Sequence, residues 1–244
     1  MCNSYVLLYH KSEVSAIMSS ENFWHAAQSI ITVTEKHPFL KSMVDGTLSK
    51  EKFIYYVLQD AIYLTDFADC LDRLSQKSPN PAHAKRLKEL AIGAEEDEKE
   101  LHRSFFKKWE IDDEVGVKAM PNTLLYTSYM LRVVGLRPYA EGLAVLLPCF
   151  WVYMHVGKEM LKLREKLGDS VVRSPQFDAW IDMYASDEFE KDVEDYKAIV
   201  DDVISSSDCD EKTIAKMQEH FIKCCELEHM FWDQAESLLQ WPEF

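Results

Sequence analysis

The sequence predicts an all-α protein, and three observations carry that reading. Only 7 glycines and 8 prolines occur in 244 residues, and these are the residues that punctuate hairpins and short loops. Apolar side chains recur at three- and four-residue spacing through most of the chain. With 47% apolar residues and a spread of Trp, Tyr and Phe, the composition supplies a sizeable core and does not suit a disordered chain.

Taken in order, residues 1–20 show no clear periodicity and are expected to form a mobile extension, ahead of one helical domain over 21–244. A first helix is expected over about 21–35, with Phe23, Ala27, Ile30 and Ile31 on one face and His37-Pro38 ending it. Asp45-Gly46 reads as a turn. A long helix follows over about 50–74, on the stripe Phe53, Tyr56, Val57, Asp60, Tyr63, Leu64 and Phe67, and Pro79 and Pro81 break it. The next is expected over about 82–108, where the run EEDEKE interrupts the apolar pattern as a solvated face. Further helices are expected over about 123–134, 139–168, 175–184, 188–204 and 211–239, with Gly168 as a C-terminal stop and Pro175 at a first helical position.

The bulk properties exclude several functions. A formal charge of −15 argues against nucleic acid, which is bound mainly through clusters of Lys and Arg. No stretch approaches the ~18 consecutive apolar residues of a membrane span. The opening CNSYVLLYH lacks the basic flank and cleavage site of a signal peptide. The cysteines (Cys2, Cys70, Cys149, Cys209, Cys224, Cys225) form no C-x-x-C pair and no regular framework, which suits reduced thiols in a cytoplasmic compartment.

Three segments combine chemistry with apolar surroundings. In LLPCFWVYMHVG, Pro148 sits inside an apolar helical run, where it removes one backbone hydrogen bond and crowds the Ala144 carbonyl. The cost is roughly 3 kcal/mol unless the surroundings compensate. Cys149 follows directly, with Tyr153 four residues on and sharing its face. Cys149 is either a small buried residue filling a core helix or a reactive thiol, and spacing alone does not choose. In YYVLQDAIYLTDFA, Asp60 lies on an apolar stripe with Tyr63 three residues on. A carboxylate there is either paired at the edge of the stripe or bound to something, because an unpaired buried charge is expensive. Glu228 and Phe231 repeat the pattern in KCCELEHMFWDQA.

In this order and near this spacing, YYVLQDAIYLTDFA, YTSYM, LLPCFWVYMHVG, WIDMY and ELEHMFW resemble the TenA family, also called thiaminase II or aminopyrimidine aminohydrolase. The resemblance covers about residues 22–239 and is to the branch that carries a cysteine in LLPC. It implies a haem-oxygenase-like multi-helix bundle, assembled as a homotetramer, that acts on a 2-methyl-4-aminopyrimidine without a cofactor. It further implies Cys149 as nucleophile, Glu228 as proton donor, and Tyr63 as the tyrosine that raises the nucleophilicity of the thiol. Asp60 matches the carboxylate that binds the exocyclic amine and adjacent ring nitrogen. Tyr126, Tyr153, Tyr184 and Phe231 match the aromatic residues around the ring, and Phe150, where relatives often carry Tyr, is expected to matter little. Salvage members of the family prefer 4-amino-5-aminomethyl-2-methylpyrimidine to intact thiamin, and the same preference is expected here.

Two rival classes stand beside this one. A di-iron bundle needs two Glu-x-x-His motifs and two more Glu, and only Glu226-x-x-His229 is present, so no metal is expected. His25, His37 or His102 could each be put forward as a haem ligand on a haem-oxygenase-like scaffold, although a surface or satisfied histidine is the ordinary case. A catalytically idle pyrimidine-binding protein would need neither Cys149 nor Glu228.

Overall fold

The computed structural model describes residues 18–94 and 117–243, and among these residues the regular structure is helical, with no strand. The helices are α1 (Ser20–Thr34), α2 (Pro38–Val44), α3 (Lys50–Lys77), α4 (helical over residues 81–94), α5 (Pro121–Leu136), α6 (Tyr139–Leu167), α7 (Pro175–Tyr184), α8 (Asp187–Ile204) and α9 (Glu211–Ser237). A single 3-10 turn, Gly168–Ser170, follows α6. The expected extension lies almost wholly outside the described residues, as do the run EEDEKE and His102.

Proline and short polar side chains set the helix ends. Pro38, Pro121 and Pro175 each stand in a first turn, where the missing N–H costs nothing. Pro38 therefore opens α2 as well as closing the segment after α1, a helix that the periodicity did not reveal because seven residues are too few to display it. Ser49, Ser186 and Asp210 cap α3, α8 and α9 by accepting from the N–H groups of Lys52, Phe189 and Thr213. The expected turn at Asp45-Gly46 is present, with Gly46 at φ +75°. Gly168, at φ +55°, ends α6 as expected. The last helix stops at Ser237, slightly before the expected 239, where Leu238 turns left-handed at φ 52°.

The central element is α6, which packs against α2, α3, α5, α7, α8 and α9. Contrary to the expectation that no stretch approaches a membrane span, it is long and apolar enough to cross a membrane by length and composition. Its most apolar 18-residue window is 83% buried inside the bundle, the behaviour of a core helix. Pro148 lies within it, buried, and the helix continues past it. One position before the carbonyl that Pro148 deprives of its helical donor, the Leu143 carbonyl accepts from the Tyr196 hydroxyl at 3.0 Å. The irregular turn is thus tied to α8. The buried apolar side chains of α1 to α9 join in one continuous core.

Gly157 sets the spacing between α6 and α7. A Cβ at this position would lie 2.7 Å from the Tyr184 carbonyl carbon and 2.8 Å from its oxygen, contacts with backbone that no rotamer change relieves. Gly157→Ala is expected to cost about 1–3 kcal/mol and to displace Tyr184. Thermal denaturation followed by circular dichroism should show a fall of several degrees in Tm.

Candidate active site

Helices α3, α4, α6, α7 and α8 enclose a cavity of about 170 Å³. From α3 come Asp60, Tyr63, Leu64 and Phe67; from α6, Cys149, Phe150 and Tyr153; from the end of α7, Met183 and Tyr184. The helical stripe read in α3 delivers Asp60 and Tyr63 to the same side, one turn apart. Cys149 and Tyr153 do the same on α6. The edge towards α4 and α8 adds Leu90, Gly93, Ala94, Ser186, Glu188, Phe189 and Asp192.

Of the residues singled out in the sequence, Asp60, Tyr63, Cys149, Tyr153 and Tyr184 line this cavity. Tyr126, Glu228 and Phe231 do not; they form the layer immediately behind Tyr63. The Tyr63 ring centroid is 4.9 Å from that of Tyr126 and 5.6 Å from that of Phe231. The Tyr126 hydroxyl donates to Glu228 Oε1 at 2.7 Å. Asp60 is 3% and Glu228 1% exposed, so neither carboxyl reaches the outer surface, and Cys149 is half-buried. Among the described cysteines, Cys70, Cys149, Cys209, Cys224 and Cys225, none is in a disulfide.

The electrostatics separate the roles these groups can take. Burial pushes the Glu228 carboxyl up to about 8, and nearby Asp60 adds to the rise while the hydrogen bond from Tyr126 opposes it. At neutral pH Glu228 is therefore mostly an uncharged acid with a proton to give. Burial likewise holds the Tyr63 phenol well above its ordinary range, and charge on Cys149, Tyr126 or Glu228 would raise it further. The protonated Tyr63 hydroxyl donates to Met130 Sδ at 3.4 Å, and the Cys149 thiol is a further hydrogen-bond partner to which it can turn. Tyr63 can thus stabilise a thiolate at Cys149 but cannot serve as the base that removes its proton.

Sequence reasoning missed part of this site. Phe150, expected to matter little, lines the cavity and packs between Phe67, at 5.2 Å, and Tyr196, at 4.7 Å. Tyr56 and Trp180 hold Tyr153 from behind: the Tyr56 hydroxyl donates to that of Tyr153 at 3.3 Å and accepts from Trp180 Nε1 at 3.2 Å. Tyr56 lay on the apolar stripe of α3 and Trp180 in the segment WIDMY, where in each case a polar tip was the available signal. Glu188 and Asp192 carried none, because α8 reads as an acidic outer helix.

Among the described residues one group of side chains could hold a metal ion, His37, His229 and Asp233, whose ligand atoms lie within 4.8 Å of one another. None of them lines the cavity. The Phe39 N–H donates to His37 Nδ1 at 3.1 Å, so the ring proton sits on Nε2 and faces Asp233 Oδ1 at 3.1 Å. That tautomer caps α2 and leaves no lone pair on Nε2 for a metal. Glu226 is paired with Lys223, and His229 meets the Thr34 hydroxyl at 3.0 Å, so the Glu-x-x-His residues have separate partners. His25 is exposed.

A helical bundle with an aromatic cavity, a thiol and carboxylates on its walls and a mostly neutral acid behind them defines a class of protein equipped for acid–base and nucleophilic chemistry on a small molecule. The TENA/THI-4/PQQC family model matches residues 24–237, and the chain belongs to that family. It is 36% identical over 215 residues to the aminopyrimidine aminohydrolase of Bacillus subtilis, covering 85% of each chain. The solved TenA homologue from P. horikoshii OT3 superposes with a TM-score of 0.79 at 27% identity, over 88% of this chain and 97% of that one. A domain from Shewanella denitrificans with a haem-oxygenase-like fold matches with a TM-score of 0.68 at 15% identity, over 90% of both chains. The fold is therefore haem-oxygenase-like.

The raised carboxyl of Glu228 has a consequence for stability. Its folded-state value, about 8, exceeds the ordinary 4.5, so the folded chain holds this proton more tightly than the unfolded one. The resulting stabilisation is complete below pH 4.5 and is lost as pH rises to about 8. Urea denaturation of wild type and Glu228→Gln at several pH values in that window should show the variant gaining, by up to about 1.4 kcal/mol per pH unit.

Proposed function

We propose that the chain is an aminopyrimidine aminohydrolase of thiamin salvage, converting 4-amino-5-aminomethyl-2-methylpyrimidine and water to the 5-hydroxymethyl compound and ammonia. The observation that carries this reading is the meeting of Asp60 and Cys149, from α3 and α6, on one aromatic cavity, in a chain of this family. A flat, moderately apolar ring suits a slot walled by Tyr63, Tyr153 and Tyr184.

In this reading Asp60 accepts from the exocyclic amine and shares a proton with the adjacent ring nitrogen, making the ring electrophilic. The Cys149 thiolate, steadied by the Tyr63 hydroxyl, forms a C–S bond to the ring. The bound ammonium first gives one proton to water; the C–N bond to the 5-methylene then breaks, and the departing amine takes a proton that Glu228 supplies from the layer behind Tyr63. Water adds to the methylene and returns a proton to Glu228, and the C–S bond breaks to release the alcohol. Tyr126 holds the Glu228 carboxyl, and Phe231 packs beneath Tyr63. Thiamin carries the same ring, and the aminomethyl compound is the preferred substrate. No cofactor takes part.

Cys149→Ser should lower kcat at least about 100-fold while the protein stays folded and still binds the ring. Asp60→Asn should lower kcat/KM by about 10- to 150-fold, the cost of losing a charged hydrogen bond. Glu228→Gln should lower kcat by about 10²- to 10⁴-fold, most with an amine leaving group. Wild-type turnover should fall as pH rises through about 8, where Glu228 loses its proton. Steady-state kinetics with folding checked by circular dichroism measures all four, and a folded Cys149→Ser protein with most of its activity would overturn the mechanism.

The same reading includes a homotetramer in the cytoplasm. That assembly is what the family resemblance implies, and Val33, Leu124, Leu125, Leu136 and Leu163 are large apolar side chains exposed on the single chain that it could cover. Light scattering at micromolar concentration is expected to give four times the 28.4 kDa chain mass; a stable monomer would contradict it.

A further inference from the structure

Three carboxylates line the cavity, Asp60, Glu188 and Asp192, and among the described residues no Lys or Arg does. They differ in depth and in company. Asp60 is buried on the inner wall. Asp192, at the outer edge, is paired with Arg86, whose guanidinium also meets Asp195 at 2.8 Å and Glu89 at 3.7 Å. Glu188 is exposed on the first turn of α8 and has no ion pair among the described residues, whereas Glu190 on the same turn is paired with Lys158.

An acid in a first turn ordinarily complements the helix dipole. Asp187 and Glu190 already stand in that turn, and the Ser186 hydroxyl occupies the Phe189 N–H at 3.1 Å. This helix end is therefore not arranged to receive an anion. Asp60, Tyr63 and Cys149 line the cavity from α3 and α6 and Glu188 lines it from α8, so a small cation held in the cavity lies between carboxylates with no Lys or Arg beside it among the described residues.

We infer that Glu188 is a specificity-determining residue, selecting aminopyrimidines whose 5-methylene carries a cation and turning away phosphorylated ones. This rests on the aminopyrimidine reading above and adds to it the charge of the group that leaves. An ammonium and a thiazolium share that charge, the neutral alcohol product lacks it, and a phosphate ester reverses it. Release is then helped as well, since the product no longer carries the cation that Glu188 attracts.

The test uses four ligands with one ring: the 5-aminomethyl compound, thiamin, the 5-hydroxymethyl compound and its phosphate ester. KM is measured for the first two and inhibition constants for the others, with wild type, Glu188→Gln and Glu188→Lys. Glu188→Gln should raise KM for both cations by about two- to fivefold at low salt, with the difference shrinking as added salt screens the charge. The inhibition constant of the neutral alcohol should stay within about twofold, which a general loss of pocket shape would not allow. Glu188→Lys should raise the cation KM values further and admit the phosphate ester. Unchanged ratios between cationic and neutral ligands in both variants would overturn the role of Glu188 while leaving the aminopyrimidine reading intact. A wild-type protein that neither turns over nor binds any of the four would overturn both.

Discussion

Placing two carboxyl groups inside an aromatic helical core is the constraint on which the rest of this molecule depends. A buried carboxylate is costly unless it is paired, hydrogen-bonded or protonated. Asp60 is close enough to bear on the ionisation of Glu228. Glu228 meets the constraint by keeping its proton and accepting from Tyr126. The phenols around it remain protonated for the same reason, because removing water disfavours every charged form at once. Acid and hydrogen-bond donors ready at neutral pH are thus a direct result of packing, without any specialised charge partner.

Such an arrangement needs a rigid frame, and α6 provides it. The helix that carries Cys149 also carries Pro148, and a proline in a helix interior would loosen it. Burial among six other helices and the bond from Tyr196 near the weakened turn offset that loss. Tyr153, one turn beyond Cys149, is steadied by Tyr56 and Trp180. Side chains around the cavity are therefore held mostly by other aromatic side chains, whose few rotatable bonds make positioning cheap in entropy.

The fold was legible wherever a signal is local. Long amphipathic helices announce themselves by spacing, and the stripe around Asp60 and the Pro148-Cys149 pair were both visible in the chain. Depth was not. Tyr126, Glu228 and Phe231 lie on buried faces of α5 and α9, helices that stand one layer back from the cavity, and periodicity gives a face without a distance. The opposite error concerns α8: in DEFEKDVEDYK an acidic edge that meets a cleft looks the same as one that meets bulk water. Phe150 was named only through the family resemblance, because a Phe in an apolar run carries no polar handle that would mark it as lining a cavity. The seven residues of α2 fall below the length at which periodicity speaks at all.

The close approach at Gly157 makes the two sides of the cavity unequal. There the backbone of Tyr184 bears directly on α6, so that wall cannot yield by turning a side chain. Opposite it, α4 contributes the small residues Gly93 and Ala94, and α4 is joined to α8 across the cleft by the Arg86 ion pairs. The cavity is thus a vice with one fixed jaw: side chains on α4 and α8 can be enlarged or trimmed to change its bore, whereas bulk added at the α6–α7 contact must move backbone.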